Sequence, residues 1–218
     1  MSRRESKEDK KSKRNKRKLE RKKGIRKELD RVIIACEGSV TEKNYFQSIF
    51  SELIQNHNIA KTSLIIARHT ATHPKGVLDD LEKALKKDSE FEHKWIVIDR
   101  DEHESFSETL DQAKSIGINV AYSNPSFEFW FLLHFDDYTT PTHRHNLPNL
   151  LKKHIDYRKN SKTTYDEILP FQEIAIGRSK KLIDKFTLNG RKLNPTTDNP
   201  STTVYKLVEL LNSLEKIK

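Results

Sequence analysis

One cysteine, Cys36, stands in 218 residues, so no internal disulfide can form. A chain built this way fits a reducing cytoplasm and does not fit a disulfide-stapled secreted domain. No apolar run approaches the length needed to cross a bilayer, and the first residues lack the apolar core of a secretory signal. No membrane partner is therefore expected. Apolar residues make up 34% of the chain and charged residues 33%, a polar balance for a globular protein.

The charge that is present is unevenly placed. Residues 1–27 hold 15 Lys or Arg against Glu5, Glu8, Asp9 and Glu20, a net of +11, whereas the other 191 residues carry 26 basic and 28 acidic groups. The pI of about 9.4 thus belongs to a tail, and the body is nearly neutral. Segment 1–28 has almost nothing apolar to bury and is expected to be disordered or a fraying helix when free. Three readings of it stay open: a solvated tail, attraction to a membrane surface with no lipidation signal to support it, and contact with nucleic-acid phosphates. The last is favoured, with Lys10, Lys11, Arg14, Arg17 and Lys18 as contacts that release condensed counterions on binding.

After the tail a strand-then-helix rhythm begins. "RVIIAC" (31–36), "SLIIAR" (63–68), "KWIVID" (94–99) and "INVAYS" (118–123) read as buried strands. Between them lie helical stretches with Tyr45, Phe46, Ile49, Phe50, Leu53 and Ile54, then with Val77, Leu78, Leu81, Ala84 and Leu85, on one side. Strands alternating with helices of this length predict an α/β core over residues 29–135, a mainly parallel sheet of about four strands flanked by helices. Residues 136–218 change character, with Pro141, Pro148, Pro170, Pro195 and Pro200 separating short helical pieces. This C-terminal region is expected to be helical or irregular and packed on the core. It ends in the amphipathic stretch "STTVYKLVELLNSLEKI", for which Ser201 or Thr202 is a candidate cap.

Ligands and reacting groups in an open parallel sheet gather at the carboxyl ends of the strands, and here those ends are acidic. The first strand runs into Glu37-Gly38, the third into "VIDRDEH" with Asp99 and Asp101, and the fourth into "NPSFEF" with Glu128. If the third strand stays extended, Asp99 and Asp101 project together and Arg100 points away. Neighbouring carboxylates raise each other's pKa unless a cation lies between them, and a hard divalent ion such as Mg²⁺ is an economical partner. Each piece alone also fits a turn or a helix cap; the combination in one sheet points to a metal site.

Together, "CEGSVTEKNYF", "VIDRDEH", "NPSFEFWFLLHF" and "NPSTTVYKLV" resemble the RloB-like family, which includes the abortive-infection protein AbiLii, over about residues 29–218. Glu-Gly followed by D-x-D also resembles the Toprim core of topoisomerases, primases and OLD-family nucleases. The resemblance implies a Toprim-like nuclease dependent on Mg²⁺ or Mn²⁺, used in prokaryotic anti-phage defence beside an AAA- or ABC-type ATPase. It assigns Glu37 as a metal ligand or general acid/base, Asp99 and Asp101 as metal ligands, and Ser126 and Glu128 as the S-x-E element. The chain departs from the Toprim pattern at position 41, a threonine, with the acid displaced to Glu42, which either enters the site or complements the helix dipole. A phosphate-contacting base is also implied, with Lys180 and Lys181 as candidates, and Gly38 at a helix start is a further phosphate candidate.

The expectation is a magnesium-dependent endonuclease acting on DNA or RNA, tRNA among them, with a homo-oligomer left open. The alternative is a non-catalytic module binding nucleic acid or an ATPase on the same scaffold. Nucleotidyl transfer ranks lower, since neither a P-loop nor a polymerase domain is evident. His103 is a candidate proton shuttle or a plain loop histidine. His134, His143, His145 and His154 read as surface and core histidines in preference to a zinc cluster. The aromatic run Phe127, Phe129, Trp130, Phe131 and Phe135 reads as packing in preference to base stacking.

Overall fold

The computed structural model describes residues 30–214 apart from 39, 58, 69–71 and 102. The basic tail, with Lys10, Lys11, Arg14, Arg17 and Lys18, lies outside the described residues. Five strands form one sheet: β1 (Val32–Cys36), β2 (Leu64–Ile66), β3 (His93–Asp99), β4 (Asn119–Asn124) and β5 (Ser201–Thr202). Their order is β2-β1-β3-β4-β5. The first four run parallel, and β5 returns antiparallel against β4, pairing Ser123 with Thr202 and Asn124 with Ser201.

All five residues of β1 are buried, because helices cover both faces of a parallel sheet. Alternation sorts its side chains. Val32, Ile34 and Cys36 face one apolar cluster; Ile33 and Ala35 face the other. The second cluster is closed by α2 (Pro74–Leu85) and α3 (Phe106–Ser115) through Val77, Leu78, Leu81, Phe106 and Ala113. The first, larger cluster is closed by α1 (Thr41–Asn56) together with helices of the C-terminal half. Those are α4 (Glu128–Leu132), α5 (Leu147–Leu151), α6 (Thr164–Ile168), α7 (Gln172–Thr187) and α8 (Val204–Leu214).

The protein is thus a mixed α/β fold with a mostly parallel sheet and a helical C-terminal region. That region does more than pack on the core, since it contributes β5. Ser201 and Thr202, read from sequence as caps of the final helix, are strand residues. Thr202 still serves the helix start, its hydroxyl accepting the Val204 N–H at 3.2 Å.

The aromatic run is core. Phe127, Phe129, Trp130 and Phe131 are buried, and Phe127 meets Tyr45, Phe46 and Phe131 at ring-centroid distances of 5.2–6.0 Å. His134 is buried beside Trp130, and burial pushes its pKa down to about 4, so it is neutral. His154 stacks on Phe135. No helix among the described residues is long and apolar enough to cross a membrane.

Candidate metal centre

Three parallel strands and the first turns that follow them deliver the acidic side chains to one edge of the sheet. Glu37 follows β1, and its N–H continues the ladder by donating to Val97 O at 2.9 Å. Its carboxylate turns back across the strand ends, where Oε2 accepts the Asp99 N–H at 3.0 Å. Asp99 is the last residue of β3. Glu42 enters from the first turn of α1 and Glu128 from the first turn of α4. Glu37, Glu42, Asp99 and Glu128 are each at most 9% exposed, and all line one cavity of about 520 Å³ together with Asp101 and His103.

Asp101 reaches this cavity by a route that strand alternation does not describe. The strand stops at Asp99, and Asp101 sits in a turn with φ of 29°, a left-handed conformation that Asp tolerates better than most residues. Arg100 braces that turn, since its guanidinium donates to the Asp101 carbonyl and, at 3.2 Å, to the Thr196 carbonyl. Its N–H and that of Asp101 bond Ser123 O and Pro125 O. The expectation that Asp99 and Asp101 share a face of one extended strand is therefore corrected: the turn, not the pleat, brings them to one cavity. It also brings Asp101 to His103, so that ligand atoms of Glu37, Asp101 and His103 lie within 4.8 Å of one another. His103 Nε2 is 3.2 Å from Glu37 Oε1.

Burial and mutual repulsion disfavour charge on this cluster unless a cation lies among its carboxyls. Burial pushes the Glu37 carboxyl up to about 7, with Glu42 adding to the rise while the Asp99 N–H and Arg144 oppose it. Glu42 is likewise raised to about 7 by burial and by Glu128, against the pull of backbone amides and Lys159. Asp99 is raised well above the carboxylate range by burial and by the charges of Glu42, Glu128 and Glu37. Among buried side-chain oxygens, Asp99 Oδ1 and Asp101 Oδ1 have no hydrogen-bond partner. An unpaired buried carboxylate oxygen is costly, and oxygen donors from several carboxylates are what Mg²⁺ or Mn²⁺ takes. The residues therefore fit such an ion: Glu37, Asp101 and His103 would hold it together, and Asp99 lines the same cavity.

Glu128 is more fully satisfied. Ser126 Oγ donates to its Oε2 at 2.6 Å and Tyr157 O–H to its Oε1 at 3.2 Å. Ser126 itself is fully buried and holds Glu128 in place from behind; it does not line the cavity. Gly38 has a spatial reason. A Cβ there would fall 1.6 Å from Glu42 Oε2, so only glycine lets the Glu42 carboxylate lie over residue 38.

Lys180 and Lys181 are not brought to the site. On α7 they pair with Glu209 at 2.5 Å and Asp137 at 2.8 Å. Among the described residues, the cations lining this cavity and the one beside it include Arg144 and Lys159, which the sequence did not single out, and Arg100, expected to point away. Arg144 is ion-paired to Asp101. A second cavity of about 880 Å³ adjoins the first, shares Asp101, His103, Glu128, Arg144 and Lys159 with it, and adds Arg100, His143 and His145 to its walls.

Comparison with known protein families matches residues 32–211, most of the chain, to the family described as RloB-like protein. No curated protein and no solved structure matches.

Proposed function

Because the chain belongs to the RloB-like protein family over residues 32–211, and because its acidic strand ends open onto a cation-walled cleft, we propose that it is a divalent-metal-dependent nuclease. The observation that carries this reading is the pair of buried, unpartnered oxygens, Asp99 Oδ1 and Asp101 Oδ1, on residues that line one cavity with Glu37 at the carboxyl edge of a parallel sheet. When bound there, Mg²⁺ or Mn²⁺ supplies Lewis-acid stabilisation of the charge that builds on a phosphodiester under attack by water.

The chain's own groups divide the remaining work. Glu37, Asp101 and His103 would hold the ion, Asp99 would offer its unpartnered oxygen from the same cavity, and Glu128 and Glu42 add to the negative field. Without an ion, burial raises Glu37 to about 7, so its proton would be displaced as an ion enters, with His103 Nε2 3.2 Å away. Arg100, Lys159 and the 143–145 segment line the side from which a phosphate backbone would approach. The Toprim-like order of Glu-Gly and D-x-D supports the same reading by resemblance. On that resemblance the proposal extends to a cytoplasmic role in anti-phage defence beside an ATPase partner.

The test is cleavage of single- and double-stranded DNA, tRNA and other RNA with Mg²⁺ or Mn²⁺, against the same reactions in EDTA. Glu37→Gln and Asp99→Asn should each lower the rate by roughly a hundredfold or more. Folded variants that cut at the wild-type rate would remove the proposal, and metal-independent binding without cleavage would replace it with the scaffold reading.

A further inference from the structure

We propose that Arg144 is a built-in counter-ion that holds Asp101 while no divalent ion is bound and passes to a backbone phosphate when one binds. The inference rests on the nuclease reading above and deepens it, because it states how ion binding and nucleic-acid binding are linked.

Arg144 opens the short 3₁₀ turn Arg144–Asn146. The residues before it are anchored: Asn199 Oδ1 accepts the Thr142 N–H at 3.0 Å, and Asn199 Nδ2 donates to the Thr142 carbonyl at 2.9 Å. The backbone is thus tied to the C-terminal loop while the side chain stays 38% exposed and able to turn. Its guanidinium pairs with Asp101 Oδ2, and the other oxygen of that carboxylate, Oδ1, is buried with no partner. Asp101 also belongs to the three-residue cluster with Glu37 and His103. Arg144 therefore stands on the carboxylate that an entering cation would share, and it lines both the acidic cavity and the larger cleft.

A guanidinium and a divalent ion on one carboxylate repel each other at short range. Ion entry weakens the hold on Arg144, and the planar fork it frees is suited to two oxygens of a phosphodiester. Arg100 is not the exchanging group, because it is committed to the carbonyls of Asp101 and Thr196. The consequence is reciprocal: a divalent ion tightens nucleic-acid binding, and nucleic acid tightens ion binding by the same factor.

Binding measurements test this without relying on activity. Full-length wild type, Asp101→Asn, Arg144→Gln and the double variant, each with an unchanged circular dichroism spectrum, are titrated in EDTA against a fluorescein-labelled single-stranded oligodeoxynucleotide by anisotropy. Asp101→Asn, which releases Arg144, should bind about tenfold more tightly, the scale of one charge-assisted contact. The double variant should lose that gain; if it keeps it, loss of the acid alone explains the effect and the exchange is overturned. Calorimetry with Mn²⁺ reads the other half, independently of the first variant. Arg144→Gln should bind Mn²⁺ about tenfold more tightly than wild type, its competitor gone; equal or weaker binding overturns the exchange. A wild type that binds Mn²⁺ and shows both effects yet cuts no nucleic acid overturns the nuclease reading and supports the exchange. A wild type that binds no Mn²⁺ overturns both.

Discussion

Gly38 and Glu42 show how much one side chain can decide at this site. The glycine follows Glu37 in a position where a Cβ would lie 1.6 Å from Glu42 Oε2 and 2.2 Å from Glu42 Cδ. The obstruction is the end of a flexible side chain, so Gly38→Ala should displace Glu42 and leave the fold standing. Removing Glu42 from a pocket where its charge helps raise Asp99 and Glu37 relieves like-charge repulsion. A melting temperature within a few degrees of wild type, or slightly above it, is therefore expected. If Glu42 contributes to the ion's field, Mn²⁺ affinity in the same variant should fall by about tenfold, measured by calorimetry. An unchanged affinity would make Glu42 a bystander. Read from sequence alone, Gly38 suggested a phosphate cradle and Glu42 a first-turn acid of uncertain use. The clearance between them is a tertiary fact that neither spacing nor composition expresses.

Among the elements, β5 has the smallest extent and a large share of the hydrogen bonding at its end of the sheet. Thr202 donates to Tyr122 O at 2.9 Å, lies 3.0 Å from Ser123 Oγ, and accepts the Val204 N–H at 3.2 Å, all buried. Thr202→Val keeps the shape and removes all three contacts, leaving the Val204 N–H and the Ser123 hydroxyl without that partner. A loss of about 2 kcal/mol in urea unfolding, with the denaturant slope unchanged, is expected. Strand β5 also marks where reading from sequence ends. Strands β1 to β4 were legible because "VIIAC", "LII", "WIVID" and "VAYSN" concentrate branched and aromatic residues between turn signals. Two residues have no period, so β5 was absorbed into the helix that follows. Glu37, Asp99, Asp101 and Glu128 were legible for a related reason: strand ends converge whatever the details of their loops. How Asp101 arrives was not, because a left-handed turn has no pattern in "DRDEH". Arg144 and Lys159 escaped notice as cations in polar, aperiodic loops, while the equally basic Lys180 and Lys181 lie on a helix face where Glu209 and Asp137 hold them.

For the whole molecule, the acidic centre should set how stability responds to pH and to metal. Glu37 and Glu42 have folded-state values of about 7 against ordinary values of 4.5, and Asp99 is raised as well. Between those limits the folded protein holds more protons than the unfolded chain, so unfolding free energy falls as pH rises through the window. The stability lost is that of neutral, buried carboxyls becoming charged neighbours. Asp88 and Asp198 act in the opposite sense, because their partners Arg31 and Arg191 hold them below 3.8. Their stabilisation is lost only in more acidic solution, so the two effects occupy separate ranges. In EDTA the melting temperature should therefore be higher at about pH 6 than at about pH 8. A divalent ion reverses the comparison, because it binds ionised carboxylates and releases the protons they carry. The rise in melting temperature on adding Mn²⁺ should be larger at about pH 8 than at about pH 6, and Asp99→Asn should reduce that rise at both. A metal-induced rise of equal size at both pH values would mean that the buried acids stay ionised without an ion. In that case Arg144 and Lys159 already neutralise the pocket, and only the absence of any rise would count against a metal there.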